Sequence, residues 1–157
     1  MLELQAKDAR GYFVLPQKPQ GAAYYTYGTP PNGAGQYAHP KLLSLLFMVE
    51  HRWQGIDKRK IGFGNISLAE GKSYDGHKSH RSGCDVDIRL FRKDSLELAV
   101  TRFDPQYDHD ATASLIAIFL DFSFVQAIYF NDATIPRVRP LTRHDDHFHV
   151  TIKKQES

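Results

Sequence analysis

The chain has 157 residues, one cysteine and a formal net charge of +2, with 41% hydrophobic and 24% charged residues. These are globular values for a single domain spanning residues 1–157, long enough to bury about two thirds of its unfolded surface, with no run of like charges to suggest a disordered tail or a nucleic-acid arm. One thiol excludes an internal disulfide, and no stretch approaches the roughly 18 apolar residues of a membrane span.

In chain order, the residues from Gly11 to Gly35 are rich in Tyr, Pro and Gly and read as loop, apart from a short strand at Tyr12-Phe13-Val14-Leu15 that Pro16 ends. Tyr24, Tyr25, Tyr27 and Tyr37 cluster nearby. They either pack under the loop as core or wall a cleft for a peptide or sugar. His39-Pro40-Lys41 opens a helix in which Leu42, Leu45, Leu46, Val49 and Trp53 recur at helical spacing, with Pro40 suited to the first turn. A strand is predicted over residues 60–66; its glycines lack the third member of a dinucleotide-binding fingerprint. Asp110-Ala111-Thr112-Ala113 reads as a capped helix start, with Leu115, Ile116, Phe119 and Leu120 forming the repeat. Val125-Gln126-Ala127-Ile128-Tyr129-Phe130 is a strand, and residues 136–140 connect it to a final one. The fold class is α+β, a small antiparallel sheet flanked by two or three helices and long loops.

Two segments carry chemistry. In Cys84-Asp85-Val86-Asp87-Ile88-Arg89-Leu90 the apolar residues alternate with Asp85, Asp87 and Arg89, and in His147-Phe148-His149-Val150-Thr151-Ile152 they alternate with His147, His149 and Thr151. Residues two apart share a strand face, so if these strands are neighbours, Asp87 and His149 reach one ion. His80 enters from the loop before the first strand, behind the polar, glycine-bearing stretch Gly71-Lys72-Ser73-Tyr74-Asp75-Gly76-His77. Three ligands drawn from imidazole and carboxylate, with a fourth position left open, describe a catalytic zinc site. Asp85 either accepts a hydrogen bond from a ligand imidazole or is a surface carboxylate beside Arg89. Asp145 and Asp146 read as turn residues, and Asp108-His109-Asp110 as a helix cap rather than a second ion site. Cys84 is a buried core thiol, while His39 and His51 have no partner in the sequence.

These residues resemble a known family. Gly76-His77-Lys78-Ser79-His80-Arg81-Ser82-Gly83-Cys84-Asp85-Val86-Asp87 fits, at every fixed position, the Gly-His-x-Ser-His-x-x-Gly-x-Asp-x-Asp motif of penicillin-insensitive murein endopeptidases. Val138-Arg139-Pro140 and His144-Asp145-Asp146-His147-Phe148-His149-Val150 fit its second motif, Val-Arg-Pro followed by His-x-x-His-x-His-Val. Weaker similarity runs through Gly11-Tyr12-Phe13-Val14, His39-Pro40 and Gly64-Asn65-Ile66-Ser67. The chain is thus similar to the metallopeptidase superfamily that holds lysostaphin-type enzymes, D-alanyl-D-alanine carboxypeptidases and the hedgehog signalling domain.

The resemblance implies a hedgehog and D-Ala-D-Ala-peptidase-like fold, zinc held by His80, Asp87 and His149, His147 and His144 as catalytic residues, and His144 and His77 lining the site and helping to orient water or the scissile carbonyl. Ser79 belongs to the same motif and is taken either to bind substrate or to support a metal ligand from behind. It further implies peptidoglycan stem peptides as substrate, no nucleic-acid partner, and action in the periplasm or elsewhere in the cell envelope. Met1-Leu2-Glu3-Leu4-Gln5-Ala6-Lys7-Asp8 lacks the basic and apolar regions of a signal peptide, so the expectation is a trimmed mature domain or another export route. Carboxypeptidase relatives commonly place a glutamate before the final histidine motif. Here His144 and His147 occupy that neighbourhood, which favours the endopeptidase branch over a carboxypeptidase or a zinc-containing binding module.

Overall fold

The computed structural model describes residues 7–74 and 79–154. Among the described residues seven strands and two α-helices follow one another: β1 (Phe13–Val14), β2 (Tyr24–Thr26), β3 (Tyr37–Ala38), α1 (Pro40–Gln54), β4 (Ile61–Phe63), β5 (Asp85–Arg89), α2 (His109–Leu120), β6 (Val125–Tyr129) and β7 (His147–Ile152). β1 and β3 pair as a small antiparallel ribbon, and the other five strands form one sheet in the order β2-β4-β5-β7-β6. The α+β expectation holds. Within the larger sheet the β2–β4 pair runs parallel and the remaining pairs antiparallel.

Alternation divides this sheet into two chemically distinct faces. Val86 and Ile88 of β5 and Phe148, Val150 and Ile152 of β7 are buried in the core. The apolar stripes of α1 (Leu42, Leu45, Leu46, Val49, Trp53) and α2 (Leu115, Ile116, Phe119) join them in one cluster. Phe119 meets Phe148 edge to face at 6.0 Å, and Trp53 stacks on Phe91 at 4.5 Å while its indole N–H donates to the Arg59 carbonyl at 2.9 Å. Each fully buried Leu or Phe adds about 1.5–3 kcal/mol. The opposite face of β5 and β7 is left to Asp85, Asp87, Arg89, His147, His149 and Thr151.

Caps define both helices. His39, which sequence left without a role, is the N-cap of α1: its Nδ1 accepts from the Lys41 backbone N–H at 3.0 Å. The cap of α2 is Asp108, two residues earlier than the Asp110 start read from sequence; its carboxylate accepts from Ala111 N–H at 3.0 Å and from Arg59 at 2.9 Å. Burial works against the charge on Asp108, but the Ala111 N–H and the Arg59 guanidinium outweigh it and hold the carboxyl below its ordinary range. Asp108→Ala is therefore expected to cost about 1–2 kcal/mol at neutral pH. Because the folded-state pKa is depressed, the wild-type advantage is complete above the unfolded value near about 4 and fades as pH falls through the folded value. Denaturant melts of both proteins at pH 7 and pH 3 check this, with the gap expected to narrow at the lower pH.

Candidate metal centre

β5 and β7 are direct neighbours, and their register sets Asp87 opposite His149, Asp85 opposite Thr151 and Arg89 opposite His147. His80 reaches the same spot from the loop before β5. Its backbone stands at φ 61°, in the left-handed region that side-chain-bearing residues rarely occupy. Its ring is fixed there by a 3.1 Å contact between Nδ1 and the Ile66 carbonyl.

The three side chains converge through defined atoms. His80 Nε2 lies 3.2 Å from Asp87 Oδ1, and His149 Nδ1 lies 3.2 Å from the same oxygen. One ligand atom from each of the three falls within 4.8 Å of the others. The proton positions follow from the far sides of the rings. A carbonyl or a carboxylate can only accept, so His80 Nδ1 donates to the Ile66 carbonyl and His149 Nε2 donates to Asp85 Oδ1 at 2.8 Å. In their neutral forms the two rings would aim two lone pairs, beside one carboxylate oxygen, at a common point, the donor set of a divalent metal.

Asp87 Oδ1 tests the fit. It is buried and has no hydrogen bond of acceptable geometry among the described residues, although imidazole nitrogens of His80, His149 and His147 stand at 3.2, 3.2 and 3.6 Å. A buried acceptor left in this state is costly, and a cation bound at that oxygen satisfies it. Burial alone would raise the Asp87 carboxyl, yet the His149 and His80 rings hold it well below the carboxylate range. Burial likewise opposes charge on His149, but Asp85 and Asp87 outweigh it and lift its pKa to about 9. A metal arriving near neutral pH therefore displaces a proton from this ring.

Asp85 faces the cluster and not Arg89. Its Oδ1 accepts from both His149 Nε2 and the Thr151 hydroxyl, at 2.8 and 2.6 Å. Removing a partner of this kind generally weakens metal binding by about 10–100-fold. Asp85→Asn is expected to lose zinc affinity by that factor while keeping its fold, as competition with a chromophoric chelator would report; unchanged affinity would remove Asp85 from this role.

The other predicted residues are distributed around the cluster. His147 is partly exposed at its edge, with Nε2 3.6 Å from Asp87 Oδ1. The ring of His144 lies 4.7 Å from that of His147 and 5.9 Å from that of His149. His144 Nδ1 donates to the Thr142 carbonyl at 2.9 Å, and burial lowers its pKa below the ordinary histidine value, aided by the neighbouring His147 and His149. Ser79 is exposed and forms no hydrogen bond among the described residues. His77 lies outside the described residues.

Sequence reasoning missed one member of the site and left another open between core and cleft wall. Asp146, read as a turn residue, places Oδ1 2.6 Å from His147 Nδ1 and so fixes which nitrogen of that ring is protonated. Tyr27 lines the pocket with Asp87, Arg89 and His147, and its hydroxyl is buried with no hydrogen-bond partner among the described residues. The tyrosine cluster thus divides: Tyr24 is core, packed on Phe63 at 5.1 Å and donating to the Pro16 carbonyl at 2.6 Å, whereas Tyr25 and Tyr27 wall clefts on the polar face.

Among the described residues no helix is long and apolar enough to cross a membrane. No curated protein matches the chain. The sequence model of the penicillin-insensitive murein endopeptidases matches residues 16–117, a span that includes His80 and Asp87 and ends before the histidine-rich strand. That strand completes the cluster in space by pairing with β5. With well over half of its length matched and His80, Asp87 and His149 gathered into one metal-binding geometry, the chain belongs to the penicillin-insensitive murein endopeptidase family, peptidases of the bacterial cell wall.

Proposed function

We propose that the protein is a zinc-dependent DD-endopeptidase that hydrolyses D-alanyl cross-links between peptidoglycan stem peptides, acting in the periplasm or elsewhere in the envelope. The observation that carries this reading is the convergence of His80 Nε2, Asp87 Oδ1 and His149 Nδ1 on one point, with both ring tautomers fixed from behind. Two imidazoles and a carboxylate also suit ferrous iron in oxygenases; membership of a peptidase family argues for hydrolysis and hence for zinc. Held by His80, Asp87 and His149, such an ion would supply Lewis acidity, to lower the pKa of water and polarise a carbonyl.

The remaining work falls to the chain's own side chains. The Nδ1–H of His147 donates to Asp146, which leaves Nε2 as an acceptor turned towards the cluster. That nitrogen takes the proton of the attacking water and returns it to the leaving amine. His144, neutral because burial depresses its pKa, packs on His147 and restricts its ring.

Mass spectrometry of muropeptides tests the assignment. Cross-linked dimers should fall to monomers, cleavage should stop with a chelator, and added zinc should restore it. Release of a terminal D-alanine from uncross-linked stems with dimers left intact would establish a carboxypeptidase instead. Bound zinc with no cleavage of any fragment would establish a binding module.

A further inference from the structure

The polar face of the sheet continues past the metal centre to Arg89. This residue follows Asp87 by two positions on β5, about 6.6 Å further along the same face, and is the ladder partner of His147. Its guanidinium lies 4.0 Å from the ring centroid of Tyr27 and 5.9 Å from that of Tyr25. Those rings lie against Gly62 of β4 and Gly64 just after it: a Cβ at Gly62 would come within 2.7 Å of the Tyr25 hydroxyl oxygen, and one at Gly64 within 2.5 Å of Tyr27 Cζ. The two glycines let the tyrosines lie close to the sheet, and the tyrosines hold Arg89.

Several other arginines are paired with an aspartate, whereas Arg81, Arg137, Arg139 and Arg143, like Arg89, form no ion pair among the described residues. Arg10, Arg59, Arg92 and Arg102 each face an aspartate at 2.9 Å or less. Arg89 donates to the Glu97 carbonyl at 3.3 Å and forms no ion pair among the described residues. It is also shared by three adjoining depressions: the pocket that holds Asp87 and His147, a cavity of about 260 Å³ that Lys58 and Lys60 also line, and a cleft beside Tyr25 that Lys18 and Lys60 line. Glu97 is the one acid on the walls of the latter two among the described residues.

We infer that Arg89, held by Tyr25 and Tyr27 and backed by Lys58 and Lys60, is a subsite for a free carboxylate lying one or two residues from the scissile bond. The inference rests on the peptidase reading above for the identity of the peptide and adds a determinant of its specificity. A guanidinium matches a carboxylate through two parallel hydrogen bonds. Because the aromatic rings already restrict it, little ordering remains to oppose binding. Hydrogen bonds to charged groups of this kind correspond to about 10–100-fold in affinity.

Calorimetry on the metal-free full chain, where no turnover intervenes, tests this with two cross-linked muropeptide dimers. They differ only in carrying a free carboxylate or a carboxamide on the diamino acid next to the cross-link. The wild type should bind the carboxylate form about 10–100-fold more tightly, and Arg89→Gln should bind both with the affinity of the carboxamide form. Lys60→Gln, a change at an exposed side chain, should narrow the preference without abolishing it, and it serves if Arg89→Gln fails to fold. Equal affinities in the wild type, binding of neither dimer, or a preference that survives Arg89→Gln would overturn the inference. A binding preference with no cleavage of either dimer by the zinc-loaded protein would instead refute the peptidase reading and leave the subsite standing.

Discussion

Asp87→Asn is expected to abolish stoichiometric zinc binding and to lower cleavage of cross-linked muropeptides by about 10³-fold or more. The substitution is nearly isosteric, so the β5–β7 ladder that sets residue 87 opposite His149 persists. What changes is charge. The carboxylate oxygen on which His80, His149 and His147 converge becomes part of a neutral amide, and either a carbonyl replaces the anionic ligand or an N–H points at the incoming cation. Metal catalysis supplies several kcal/mol of transition-state stabilisation, and each 1.36 kcal/mol is about tenfold in rate, which sets the size of the effect. Metal analysis of the purified variant, with circular dichroism to confirm its fold, separates this loss from simple unfolding. A variant that kept both zinc and turnover would leave the cluster without a function.

His147→Ala should behave in the opposite way towards the metal. Its Nε2 stands further from Asp87 Oδ1 than the other two imidazoles do, at 3.6 Å against 3.2 Å, and its ring is at the more exposed edge of the cluster. Zinc should remain bound while hydrolysis falls by about 10²-fold or more, the usual contribution of a positioned general base. The Asp146 carboxylate would then be left beside an empty space. Zinc content and kcat/KM measured on the same preparation decide the matter. Loss of zinc together with activity would make His147 a ligand, and retained activity would remove it from proton transfer.

The parts of this site that were legible in the sequence are those encoded by local periodicity. β5 and β7 announce themselves by strict alternation, and that alternation alone puts Asp87 and His149 on the face opposite Val86, Ile88, Phe148 and Val150. The helical spacing of Leu42, Leu45, Leu46, Val49 and Trp53 identifies α1 in the same way. What was not legible depends on partners distant in the chain. β2 is three residues long, in a stretch of Tyr, Gly and Pro that reads as loop, and it is a strand because it pairs in parallel with β4, with Tyr25 beside Gly62. No local signal marks such a pairing, since parallel strands require a long connection between them. Asp146 was hidden for another reason: Asp in a turn is common for backbone reasons, and only the orientation of the following histidine ring turns its carboxylate into a partner. His39 likewise looked idle because imidazole is an unusual N-cap.

Anomalous X-ray diffraction at the zinc edge, from crystals of the zinc-loaded protein, tests the central claim most directly. One strong peak in bonding contact with His80 Nε2, Asp87 Oδ1 and His149 Nδ1, with a coordination position left open towards His147, is the predicted result. A peak at any other group of residues, or a fully occupied shell that included the His147 ring and admitted no water, would contradict it.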